Sequence, residues 1–291
     1  MTYLEAVASN IRLGQPPTEH AARKTVFWAG LALLCSGALT TLLFGYHAGF
    51  APLNAFGARV PSILLENLTY TGDSLFALVM MLIFARRYPQ VLWTAVVAAV
   101  IATLASHGMK NVFDAARPPG VLQDELLHLV GPGYRRHSFP SGHSVTALVM
   151  TAAIVCYLPT MRARLIGLGV GGLIAASRVW VGVHWPVDVL IGAGLGALSV
   201  WAGARITLGW QWGARLTGHL CIVTLLGGCA IGMLVTEIPY PGAEPLARTI
   251  ALIALLFTVG SYVLTPLLRR RAAINARSRR MLAAPESSGG A

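Results

Sequence analysis

Phe139–Leu158 reads FPSGHSVTALVMTAAIVCYL, a polar hexapeptide followed by fourteen residues without a charge. The apolar part, Val145–Leu158, is a helix-forming run long enough to enter a membrane, whose hydrocarbon core is ~30 Å thick. Ahead of it, Arg117–His137 is a polar loop rich in Arg and Pro. The fold depends on whether the apolar half recurs along the chain. The function depends on why a histidine stands at its border.

The apolar half does recur. Hydrophobic residues are 55% of the 291 and charged residues only 11%, and the mean hydropathy is +0.65. Such a composition excludes an ordinary soluble domain. Near-spanning apolar segments recur about eight times, near 26–46, 70–85, 91–108, 143–158, 165–182, 187–204, 217–236 and 249–268. The expected fold is all-α, a polytopic membrane helix bundle. The first segment follows a polar, Arg-bearing amphipathic start, and no clear cleavage site follows it, so it is read as a retained helix rather than a signal peptide.

A net charge of +11 raises the question of nucleic acid, which the location of the basic residues answers. Arg12, Arg23, Lys24, Arg86, Arg87, Arg162, Arg164, Arg205, Arg215 and the six arginines between Arg269 and Arg280 share one side, fifteen of the 22. Arg59, Lys110, Arg117, Arg135, Arg136, Arg178 and Arg248 fall on the other, with eight of the eleven acids. This is the positive-inside pattern: both termini are expected in the cytoplasm, and no nucleic-acid partner is needed. The tail RRRAAINARSRR suits anionic lipid, and the Ser/Gly-rich end PESSGGA reads as disordered. Cys35, Cys156, Cys221 and Cys229 have no CxxC spacing and lie within apolar segments, a weak basis for redox or metal chemistry.

Three polar clusters fall at outward helix ends. In KNVFDAARPP, Lys110 and Arg117 stand seven residues apart and would share a face if the helix ran that far, with Pro118 and Pro119 stopping it; they also read as cations snorkelling at a membrane border. In FPSGHS, Pro140 and Ser141 open and cap a helix, Gly142 allows close backbone approach, and His143 sits in the first turn, where free N–H groups favour an anion. Alone, PSGH reads equally as a capped helix with an incidental histidine. In SRVWVGVHWPVD, His184 and Asp188 have i, i+4 spacing, so the carboxylate can fix the imidazole tautomer, or simply staple two helices. Their coincidence on one side favours the functional readings.

Together these clusters resemble the type 2 phosphatidic acid phosphatase family, whose pattern is K-x6-RP, PSGH and SR-x5-H-x3-D. Lys110 to Pro118, Pro140 to His143 and Ser177 to Asp188 match every motif position in order. The resemblance covers roughly residues 70–205. It implies a six-helix core, here within 26–205, preceded by a cytoplasmic segment 1–25 and followed by an extra helix pair in 206–268 and a basic cytoplasmic tail in 269–291. It further implies that His184 attacks phosphorus, Asp188 orients it and His143 exchanges the proton of the leaving oxygen. Lys110, Arg117, Arg178 and the backbone N–H groups of Ser141 and Gly142 would hold the phosphoryl oxygens, with no metal ion or other cofactor required.

The motifs specify a phosphoryl group and not its carrier. The implied activity is metal-independent hydrolysis of a membrane lipid phosphate at the periplasmic face of the inner membrane, with undecaprenyl diphosphate as the first choice. Phosphatidylglycerol phosphate, lipid A 1-phosphate and transfer to another acceptor are alternatives. Arg135, Arg136 and Asp73 are candidates for headgroup contact; the arginines also read as solvated loop charges and Asp73 as a helix-start acid. A lipid-phosphate transporter would ask for ionisable residues at mid-membrane, whereas His47, His107 and His219 lie near segment ends. The oligomeric state is not legible.

Overall fold

The computed structural model describes residues 2–11 and 19–283. Arg12 and the PESSGGA end, read above for charge and disorder, lie outside them. The described residues form an all-α structure: α1 (Tyr3–Asn10), α2 (His20–Phe44), α3 (Phe50–Gly57), α4 (Ser62–Tyr70), α5 (Ser74–Phe84), α6 (Pro89–Phe113), α7 (Pro118–Val121), α8 (Gly142–Val155), α9 (Met161–Trp180), α10 (Pro186–Gly209), α11 (Leu216–Val235), α12 (Glu244–Val259) and α13 (Thr265–Ala283).

Each of the eight expected apolar segments is helical, but not all are full spans. Among the described residues, six helical stretches are long and apolar enough to cross a membrane. The segment near 70–85 is instead the second half of a bent pair, α4 and α5, meeting at 67°. The segment near 143–158 is α8, whose 14 residues extend only about 21 Å at 1.5 Å per residue. The break between α4 and α5 traces to a helix start that hydropathy does not register, whereas α8 begins where expected and falls short at its other end, with Cys156 as C-cap. Asp73 caps α5, its Oδ1 accepting from the Leu75 amide at 2.8 Å. A Cβ on Gly72, in the break, would lie 3.1 Å from the His143 carbonyl oxygen. The two short helices therefore start against each other.

The last span is longer than expected. Helix continues from α12 through a π turn, Gly260–Leu264, into α13. A π turn displaces carbonyls from the i→i+4 ladder. α1 meets two of them: Tyr3 Oη donates to Tyr262 O at 2.5 Å and Asn10 Nδ2 to Ser261 O at 2.6 Å.

α10 is the central helix, packing against α2, α8 and α6. Its buried face is rich in small residues, Gly192, Ala193, Gly194, Gly196, Ala197, Gly203 and Ala204, which let backbones approach closely. A Cβ on Gly192 would stand 2.6 Å from the Ser141 carbonyl oxygen, so this glycine sets how near the start of α10 comes to PSGH. Outward, Leu42, Leu104, Val112, Leu225, Val235 and Leu256 are exposed, as lipid-facing side chains are in a bundle whose solvent is hydrocarbon.

The two ends of the bundle differ. At one, Arg164 pairs with Glu19 at 2.5 Å, Arg86 donates to Asn10, and Trp93 Nε1 donates to the Trp210 carbonyl at 2.6 Å. At the other the three polar clusters meet. One expectation about them fails: α6 ends at Phe113, where Asp114 turns left-handed with φ 31°. Lys110 and Arg117 therefore do not share a helix face. Pro118 does not stop α6 but opens α7, a position where its missing N–H costs nothing.

Candidate active site

His184 lies between α9 and α10 and is almost wholly buried. Its Nδ1 stands 3.2 Å from Asp188 Oδ2, one turn on in α10. The buried Asp188 is an orienter with its own supports. Oδ2 accepts from the Ser138 hydroxyl at 2.5 Å and the Trp185 amide at 2.9 Å, and Oδ1 accepts from the Tyr46 hydroxyl. Burial first, then the Asp188 charge, pushes the Tyr46 phenol well above its ordinary value, so it stays a donor. With the carboxylate accepting at Nδ1, the proton belongs on that nitrogen and the lone pair on Nε2.

Three cations surround this ring. Burial first, and then the charges of Arg117, Arg178 and Lys110, hold His184 well below the usual histidine value, so it is neutral near pH 7. Lys110 Nζ donates to the His137 carbonyl at 3.3 Å and Arg117 Nη2 to the same oxygen at 3.4 Å. His137 itself has φ 54°, a left-handed conformation unusual for a residue other than glycine. One loop carbonyl thus brings together what the helix face was expected to join. Arg178, in the last turn of α9, is 2% exposed; its Nη1 donates to Thr69 Oγ1 at 2.6 Å and to Tyr240 Oη at 2.8 Å. Its Nε is buried without a partner among the described residues, a costly state unless an anion arrives.

PSGH opens α8 as the sequence implies: Ser141 is the N-cap, its hydroxyl accepting from the Ser144 amide at 3.4 Å. The Ser141 amide, however, expected to face phosphate, donates to the Asp188 carbonyl at 3.1 Å. This bond docks α8 on α10 and leaves the Gly142 and His143 amides as the first-turn donors that no helical carbonyl can satisfy. A Cβ on Gly142 would meet nothing within 4 Å, so no other side chain packs against the glycine at this helix start. His143 Nε2 lies 4.0 Å from Asp73 Oδ2; Asp73 both caps α5 and faces the histidine.

Arg136 pairs with Asp114 at the surface. Arg135 lends its backbone carbonyl to the Arg117 amide at 2.9 Å. Neither arginine is brought to Lys110, Arg117 or Arg178 through its side chain. Four contributors escaped the sequence reading: Tyr46, Thr69, Ser138 and Tyr240. Ser138 adjoins FPSGHS; the others are isolated neutral residues far from any motif. As a set, a neutral imidazole with an oriented lone pair, an orphaned guanidinium edge, two further cations and a second histidine can bind a phosphoryl group and attack its phosphorus.

The PAP2 superfamily model matches residues 91–212, from the start of α6 to just beyond α10. An undecaprenyl-diphosphatase of Sulfolobus acidocaldarius is 34% identical over 118 residues, 40% of this chain and 55% of that protein. The chain therefore spans about half the length of that relative. A lipid A 1-phosphatase of Rhizobium johnstonii is 31% identical over 183 residues, 55% of this chain and 71% of the relative. Among solved structures, the crystal structure of Aquifex aeolicus LpxE matches with a TM-score of 0.47 and 26% identity, covering 54% of this chain and 92% of that one.

Proposed function

Because the chain belongs to the PAP2 superfamily, we propose that it is an integral membrane phosphatase that removes phosphate from a lipid through a phosphohistidine on His184. The observation that carries this reading is the neutral, Asp188-backed His184 set among three cations, one of which, Arg178, holds a buried Nε without a partner.

His184 Nε2 forms the N–P bond as the bond from phosphorus to the leaving oxygen breaks, and His143 gives that oxygen a proton. Water then attacks the phosphohistidine, His143 takes its proton, and the N–P bond breaks to free inorganic phosphate. Lys110, Arg117 and Arg178, with the Gly142 and His143 amides, hold the equatorial oxygens as charge builds on them. Asp73 Oδ2, 4.0 Å from His143 Nε2, faces the ring that exchanges this proton.

The site needs no metal ion in this scheme, since the cations supply the charge. A lipid carrier suits the surroundings. Apolar recesses flank the site, one of about 140 Å³ running from Ser74 and Thr146 between α5, α6 and α8, and one of about 550 Å³ beside Tyr46 and Phe139 between α2, α6 and α10. Undecaprenyl diphosphate is the first choice of substrate, after the Sulfolobus relative. Lipid A 1-phosphate is the second, favoured by the longer alignment with the Rhizobium relative. The charge asymmetry supports a site on the periplasmic face of the inner membrane, with cytoplasmic termini.

Purified protein in detergent, given undecaprenyl diphosphate, lipid A and phosphatidylglycerol phosphate in parallel with EDTA present, is expected to release inorganic phosphate from at least one. Release from none, or strict dependence on an added metal ion, overturns the reading. Loss of lipid phosphate with no inorganic phosphate released identifies a phosphotransferase.

A further inference from the structure

The second part of the connection between α11 and α12, Ile238–Ala243, reaches the site from outside the region that the family model matches. Its sequence is IPYPGA, with Tyr240 held in extended backbone (φ −123°, ψ 98°) between two prolines, as residues before proline generally are. The loop is fixed to α4. The Gly242 amide donates to Glu66 Oε2 at 2.5 Å, and Asn67 Nδ2 donates to the Gly242 carbonyl at 3.0 Å. Gly131, at φ +80°, lies against the Tyr240 ring so closely that a Cβ there would collide with it. Tyr240 is 3% exposed, and its hydroxyl meets Arg178 Nη1 at 2.8 Å; Thr69, in α4, meets the same nitrogen at 2.6 Å.

Two acceptors on Nη1 use both of its hydrogens, and a planar guanidinium so held cannot turn. The Nε edge, which carries the unpartnered buried nitrogen, is then fixed in direction. Such an edge matches two oxygens of a phosphoryl group. We propose that Tyr240 and Thr69 are positioning residues that clamp Arg178 so that its Nε edge faces the phosphoryl group, and that the α11–α12 hairpin thereby completes the active site. The inference rests on the phosphoryl-binding role of Arg178 given above.

The test uses inorganic phosphate as probe, binding to the full chain in detergent by calorimetry, alongside kcat and KM on the lipid that the substrate panel identifies. Tyr240→Phe keeps the ring and the loop packing, and Thr69→Val keeps the shape; each is expected to weaken phosphate binding about 10-fold, since each removes an acceptor from a charged group. kcat is expected to fall by a similar factor with KM changed less, because charge on the phosphoryl oxygens peaks in the transition state. Thr69→Ser restores the wild-type values. In an Arg178→Gln background, Tyr240→Phe adds nothing. Tyr240→Phe with wild-type phosphate affinity, or with an undiminished effect beside Arg178→Gln, overturns the inference while leaving the phosphatase reading intact. Wild-type protein that binds phosphate and hydrolyses no lipid does the reverse.

Discussion

His184 and His219 are both almost completely buried, at 1% and 0% exposure, at opposite ends of one bundle. His184 stands 3.2 Å from a carboxylate at one nitrogen and feels three cations. His219 Nε2 stands 2.7 Å from the Tyr262 hydroxyl, and its Nδ1 has no partner among the described residues. The first ring is oriented by an anion with the other nitrogen left for a ligand; the second makes one neutral bond that ties α11 to the π turn after α12. Burial is common to both, so it identifies neither. The charged partners are what set the proposed nucleophile apart from a ring that joins two helices.

The largest expected effect breaks the comparison if it fails. His184→Gln should lower turnover by on the order of 10⁴-fold or more, as loss of a covalent nucleophile does, with the thermal unfolding transition in detergent retained. A variant with near-native turnover would remove His184 as the nucleophile and erase the distinction between the two rings.

A smaller effect sharpens it through pH. In the proposed mechanism the neutral His184 ring is the attacking form, present above its pKa and lost as pH falls through it. Since burial and then Arg117, Arg178 and Lys110 hold that pKa well below 6.5, the limb of kcat/KM that reports it should lie well on the acid side of 6.5. Lys110→Met removes one of these charges, so the limb should move to higher pH, while kcat at pH 8 falls by roughly 10²-fold through lost charge stabilisation. A limb that moves to lower pH, or does not move, would show that Lys110 does not act on His184.

Much of the site was legible because local spacing encodes it. His184 and Asp188 are one helical turn apart, and Ser141, Gly142 and His143 are consecutive. Spacing failed where the backbone leaves regular helix. Lys110 and Arg117 are joined through the His137 carbonyl, after a left-handed turn at Asp114 that no periodicity announces. Hydropathy found every apolar segment but not that α5 and α8 start against one another, because the starts are fixed by Asp73, Gly72 and Ser141, which carry no apolar signal. Tyr240 was out of reach for a different reason. A single tyrosine 62 residues from Arg178 has no pattern to belong to, and the helix pair that delivers it resembles any other apolar hairpin.

The smallest expected effect concerns His219 and tests the claim that its burial is structural. His219→Phe should leave kcat and KM within about two-fold of wild type, because the ring lies at the opposite end of the bundle from Lys110, Arg117 and Arg178. It should nevertheless cost stability, since it strands the Tyr262 hydroxyl without its partner, at about 1–3 kcal/mol for a buried polar group left unsatisfied. Tyr262→Phe alone should cost a similar amount by stranding the imidazole. The double variant replaces a polar pair with an apolar one of nearly the same shape and should recover much of the loss. Measured by thermal unfolding in detergent, the three variants form a cycle whose coupling energy belongs to one hydrogen bond. Additive losses would mean that the pair is not coupled. A His219→Phe variant that unfolds like wild type but has lost turnover would mean that this ring, too, takes part in the reaction.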